Sequence, residues 1–126
     1  MHIPEDLLYT KDHKWVKKEA DNKATVGITD YLQQQTGKIQ NVDIEGNQSY
    51  EQGHKFGLVE GEELTDDLNA PVTSYIDTPN TEIDDRPNLI NDDPYGEGWL
   101  VKLTDCNPDQ FDDLMDATQY EQYISD

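Results

Sequence analysis

The sequence predicts a mainly β fold with short helices and one C-terminal α-helix. Three observations lead there. Apolar residues fall in runs of strand length, rich in Val, Ile, Thr and aromatics and separated by clusters of Gly, Asn, Asp and Pro. Helical spacing is confined to the segment after Thr29, a short stretch before Asn91, and the residues after Asn107. A length of 126 residues suits one module, 1–126, with no room for a separate catalytic domain. A net charge of -19 with 33% apolar residues would also fit a disordered chain, but seven Tyr and two Trp within clear apolar runs favour folding.

Leu7-Leu8-Tyr9 and Lys14-Trp15-Val16-Lys17 read as two strand pieces around a polar turn, with Trp15 buried and His13 a hydrogen-bonded structural histidine. Glu19 to Lys23 is a turn, and Ala24-Thr25-Val26-Gly27-Ile28 is the strand that follows. Thr29 caps a two-turn helix that stops at Gly37. Lys38 to Ile44 alternates imperfectly, Ile39 on one face and Val42 and Ile44 on the other, which predicts a bulge or an edge at Gln40-Asn41. Tyr50 and Phe56 are core candidates.

Gly57 to Pro71 reads as two apolar pieces joined by an acidic bend, a β-hairpin with its tip at Gly61-Glu62-Glu63. Val72 to Thr78 is a strand, with Val72, Ser74 and Ile76 on one face. The stretch Asp84 to Asn91 holds a Pro at an early helical position and predicts a single-turn helix, and a tight turn and strand follow at Asp92 to Leu103. Asn107-Pro108-Asp109-Gln110 combines an N-cap, an N1 proline and a capping-box glutamine before Phe111, Leu114 and Met115. A C-terminal helix at about 108–117 is expected, with a further turn holding Tyr120, Tyr123 and Ile124 against the body.

Charge narrows the function. Nine Lys plus Arg against 28 Asp plus Glu disfavour nucleic acid and anionic membrane surfaces as partners. The lone Cys106 excludes an intrachain disulfide, and no apolar run has membrane-spanning length. The start Met1 to Asp6 lacks a basic and apolar leader, so a cytoplasmic location is expected, or the mitochondrial matrix for a processed eukaryotic chain. His2, His13 and His54 lack metal-ligand spacing, and Asp105-x-Asn107-x-Asp109 fails as a calcium loop because Gln110 stands where glycine is needed. No metal site, nucleophile elbow or phosphate loop is predicted.

Four motifs carry a resemblance: Ala24-Thr25-Val26-Gly27-Ile28-Thr29-Asp30-Tyr31, Phe56-Gly57-Leu58-Val59-Glu60, Asp67-Leu68-Asn69-Ala70-Pro71 and Pro94-Tyr95-Gly96-Glu97-Gly98-Trp99. Together they resemble the H protein of the glycine cleavage system and, more loosely, biotinyl and lipoyl carrier domains. The resemblance runs from Tyr9 to the C-terminal helix. It implies a barrel-sandwich hybrid of two small antiparallel sheets, and a carrier without its own active site. Its lipoyl arm would move an aminomethyl group among decarboxylase, aminomethyltransferase and dihydrolipoyl dehydrogenase.

In that family's pattern a lysine at the hairpin tip carries lipoate, and here its position falls on Glu63. Attachment needs an amine to attack an activated lipoyl carboxyl, which a carboxylate cannot do. The resemblance therefore implies no cofactor on this chain, with Lys55, in the strand before the tip, a poor substitute. Lys14 stands where the family carries a glutamate near the cleft for the loaded arm. Either Lys14 and Glu63 have exchanged charges and pair, or both are exposed and never meet. His13, Glu60, Gly61, Glu62 and Asp67 complete the candidate cleft and interaction surface. The expected function is a non-lipoylated scaffold, regulator or non-productive competitor, and the resemblance implies the glycine cleavage components or a lipoyl ligase as partners. The alternatives are a working carrier with another lysine modified, an engineered variant of one, and an acidic decoy for basic surfaces.

Overall fold

The computed structural model describes residues 1–125. Nine strands form two antiparallel sheets, as the mainly β expectation requires. The larger sheet runs in the order β1 (Leu8–Tyr9), β2 (Lys14–Ala20), β3 (Lys23–Ile28), β9 (Val101–Thr104), β8 (Ser74–Pro79) and β5 (Gln48–Tyr50). The smaller sheet places β6 (Lys55–Gly61) between β4 (Ile39–Ile44) and β7 (Thr65–Asn69). Their facing sides share one core, in which Val16, Val26 and Ile28 of the larger sheet meet Ile39, Val59 and Leu68 of the smaller.

Strand alternation sets which side chains enter that core. The strand expected from Val72 starts later, at Ser74, with Val72 in the bend before it. Ser74 and Ile76 alternate into the core, Val72 is buried beside them, and Ser74 satisfies its hydroxyl by donating to the Val72 carbonyl at 3.0 Å. Gln40 and Asn41 face solvent where the β4–β6 register shifts between Ile39 and Asn41, the irregularity that broken alternation predicts. Trp15 is paired across β2 and β3 with Gly27, where a Cβ would lie 2.5 Å from the indole. The glycine makes room for the ring, whose Nε1–H donates to the Pro94 carbonyl at 2.9 Å.

Helix α1 (Asp30–Thr36) begins as its cap predicts, with Thr29 Oγ1 accepting from Leu32 N at 3.2 Å. Gly37 stops it with φ of 69°. The single turn expected before Asn91 is instead two, α2 (Glu82–Asp85) and α3 (Leu89–Asp92), with Arg86 to Asn88 between them.

The C-terminal helix lies later than 108–117. Pro108–Asp113 is a 3-10 helix, and helix α4 runs from Ala117 to Ser125. The interruption has a physical cause at Met115, whose backbone exchanges two 2.8 Å hydrogen bonds with Tyr9 and so is extended. Residue Gln110 does not close a capping box either, because its Oε1 accepts from Thr73 N. The box belongs to Asp116 and Gln119, each side chain accepting from the other's backbone N–H at 2.8 and 2.9 Å. Helix α4 seals a second apolar cluster by stacking Tyr120 on Tyr9, with ring centroids 4.6 Å apart. Among the described residues no helix is long and apolar enough to cross a membrane.

Candidate functional site at the β6–β7 apex

The apex is shorter than the tip read from sequence, because Gly61 still belongs to β6 and Glu62-Glu63-Leu64 makes the bend. Gly61 N–H donates to the Leu64 carbonyl at 3.0 Å and closes it. The next two N–H groups leave the hairpin altogether. Glu62 donates to the Lys38 carbonyl at 3.0 Å and Glu63 to the Thr36 carbonyl at 2.8 Å, so the apex is moored to the C-terminal end of α1. Carbonyls there lack intrahelical partners, which makes them available acceptors.

Two glycines permit this approach. A Cβ on Gly61 would overlap the Thr36 carbonyl oxygen, and one on Gly37 would lie 3.0 Å from Glu63 Cγ. The main chain thus sets the apex conformation, while the Glu62, Glu63 and Leu64 side chains point outward and are exposed. Glu60, at the end of β6, accepts from Asn41 Nδ2 at 3.2 Å. Asp67 is exposed on β7 and pairs with Lys55 Nζ at 3.1 Å, near the opposite end of the hairpin.

Lys14 fits neither arrangement considered from the sequence. Only 1% of its side chain is exposed, and its ammonium lies 2.7 Å from Asp66 Oδ2 and 2.8 Å from the Asp12 carbonyl. It lies on the same face of β2 as core residue Val16, and Asp66 on the same face of β7 as Leu68, so the pair joins the two sheets at the edge of the core. Glu63 takes no part in an ion pair among the described residues.

His13 is held apart from the apex. Its Nδ1 lies 3.0 Å from the Tyr120 hydroxyl, which also contacts Thr29 Oγ1 at 2.8 Å, and its ring packs 4.6 Å from that of Tyr31. Burial is the main cause that lowers its pKa, and the Lys14 charge adds to it. The structure therefore gathers Glu60, Gly61, Glu62 and Glu63 at one end of the hairpin, ties Lys14 to its flank, and leaves His13 under α4.

Sequence reasoning missed Asp66, Thr36 and Lys38. Asp66 was recoverable, since a carboxylate two residues before buried Leu68 shares its inward face and requires a cation. Thr36 and Lys38 act through backbone carbonyls, for which residue identity carries no signal.

The fold agrees with that of known proteins that this chain is similar to. The family profile described as Glycine cleavage H-protein matches residues 7–126. This chain belongs to that family. A glycine cleavage system H protein from Bacteroides fragilis is 41% identical over 127 residues, covering 99% of each chain. One from Herpetosiphon aurantiacus is 40% identical over 126 residues, covering 99% of this chain and 95% of the relative. The crystal structure of a glycine cleavage system H protein from Mycobacterium marinum superposes with a TM-score of 0.85 at 31% identity, covering 98% of this chain and 99% of that one.

A lipoyl group, which the family implies, needs an amine to hold it. The apex side chains supply two carboxylates and an isobutyl group, so they do not fit. Lys14 is buried in an ion pair, and Lys55 starts β6, six residues before Gly61, or about 20 Å along an extended strand. The lysine beside the apex is Lys38, exposed, with its carbonyl on the Glu62 N–H.

Proposed function

We propose that this chain is an H-like protein that has lost the lipoyl attachment residue and works as a non-lipoylated scaffold or regulator. The carrying observation is Glu63 at an outward-facing apex whose backbone geometry does not depend on the side chain there. H proteins are carriers without a catalytic site, serving the decarboxylase, aminomethyltransferase and dihydrolipoyl dehydrogenase of glycine cleavage. Here a carboxylate replaces the amine, so the surface that meets those partners is kept and the arm is absent. Nothing in the chemistry of Glu62, Glu63 or Leu64 replaces the arm's redox function.

Intact mass and binding test this together. After incubation with lipoate, ATP and a lipoyl ligase, the mass stays unchanged, while the chain still binds the aminomethyltransferase. A lipoyl mass increase overturns the reading. A second reading, a working carrier with a displaced arm, is favoured by one observation, the exposed Lys38 beside the apex. Peptide mapping of any added mass to Lys38 would select it.

A further inference from the structure

We propose that the β6–β7 apex is a non-accepting competitor for the enzyme that attaches lipoate, entering its acceptor groove and presenting a carboxylate in place of an amine. The inference rests on the reading that residue 63 carries no lipoyl group, and adds the partner and the consequence.

Shape comes first. The apex is held by Gly61 N–H to Leu64 O, Glu62 N–H to Lys38 O and Glu63 N–H to Thr36 O, at 3.0, 3.0 and 2.8 Å. All three are main-chain bonds, so an exchange of amine for carboxylate at residue 63 leaves the presented backbone as it was. The close fit of Gly61 on Thr36 O fixes where the bend sits relative to α1. A partner that reads this backbone finds it already formed, which lowers the ordering cost of binding.

Presentation comes second. The Glu63 side chain has no hydrogen-bond or ion-pair partner among the described residues and is free to enter a groove. Leu64 beside it is 39% exposed, one of few large apolar side chains left open, and offers a contact that a partner can desolvate. Glu60 and Glu62 surround it with negative charge on a chain of net charge -19, so the complementary groove is basic. Without an amine the encounter ends in dissociation, and while it lasts the groove is closed to other acceptors.

The experiment is a lipoylation assay with a lipoyl ligase, lipoate, ATP and the lysine-bearing H protein of a relative as acceptor, to which this full-length chain is added. The expected result is competitive inhibition, with an apparent KM for the acceptor that rises linearly with added chain, about tenfold at about nine times its inhibition constant, and an unchanged kcat. Glu63→Gln inhibits to within about twofold, because backbone shape and not the carboxylate drives docking. Glu63→Lys becomes an acceptor and gains one lipoyl group. Gly61→Val, shown folded by circular dichroism, loses inhibition about tenfold. If Gly61→Val fails to fold, the two Glu63 variants still decide. No inhibition by the unmodified chain overturns the inference and leaves the loss of attachment at residue 63 standing. Disappearance of inhibition in Glu63→Gln, or its full retention in folded Gly61→Val, also overturns it. A lipoyl mass on the unmodified chain overturns the underlying reading instead.

Discussion

The Lys14 ammonium sits 2.7 Å from the Asp66 carboxylate and joins the larger sheet to the flank of the apex hairpin. Because Lys14 is buried, removing Asp66 leaves its charge with only the Asp12 carbonyl at 2.8 Å and the Asp12 carboxylate at 3.6 Å, which costs more than the pair itself is worth. Asp66→Ala is expected to destabilise the fold by about 2–3 kcal/mol, below the range for fully buried pairs since Asp66 keeps 27% of its side-chain surface. Lys14→Met, which keeps the stem and removes the charge, should cost about 1 kcal/mol or less. Urea denaturation of both variants checks the order; an Asp66→Ala cost below that of Lys14→Met would show the pair to be dispensable.

Gly61 is expected to tolerate no side chain. A Cβ there meets the Thr36 carbonyl oxygen, so Gly61→Ala must lengthen the Glu63–Thr36 bond or shift α1, at about 2 kcal/mol. Hydrogen exchange reads this locally. The Glu62 and Glu63 amides should be protected in the parent and exchange faster in the variant, while amides of β2 and β3 change little.

His13 gives the fold a pH dependence of definite sign. Its folded pKa lies below the ordinary 6.5, so between the two values the unfolded chain binds more protons and stability rises with pH. The contribution is complete above 6.5 and is lost as pH falls from there through the folded value. Asp12, Asp66 and Lys14 are the charges around it, with the Tyr31, Tyr120 and Tyr123 rings on its other sides. His13→Gln should flatten the stability profile between pH 7 and 5, and an NMR titration of the His13 ring should give a midpoint below 6.5.

Cys106 is expected to be inert in the folded chain. Burial, helped by Asp105, pushes its thiol up to about 11, and little of it reaches solvent. Iodoacetamide at pH 8 should leave it unmodified over the time in which denatured protein reacts fully.

Much of this architecture was legible because local signals and burial agreed. Thr29 and Gly37 bracket α1 as their chemistry requires, and Trp15 is buried as expected of a tryptophan in a short apolar strand. The C-terminal segment was misread where a tertiary contact overrode spacing. Phe111 and Leu114 are three apart, which suits a 3-10 helix as well as an α-helix, and the Tyr9–Met115 bridge forbids continuation. The Asp116–Gln119 box was present in the sequence and marks the true helix start. At the apex, the carboxylate at residue 63 was legible, but the bonds from Glu63 N–H to Thr36 and from Glu62 N–H to Lys38 run through backbone atoms and were not.

The central claim is that no lipoyl group can be tethered at this apex because residue 63 lacks an amine. Intact-mass spectrometry of the parent chain and Glu63→Lys, each incubated with lipoate, ATP and a lipoyl ligase, tests it most directly. The parent is expected to stay unchanged in mass and the variant to become heavier by one lipoyl group. A lipoylated parent, on Lys38 or any other residue, would contradict it.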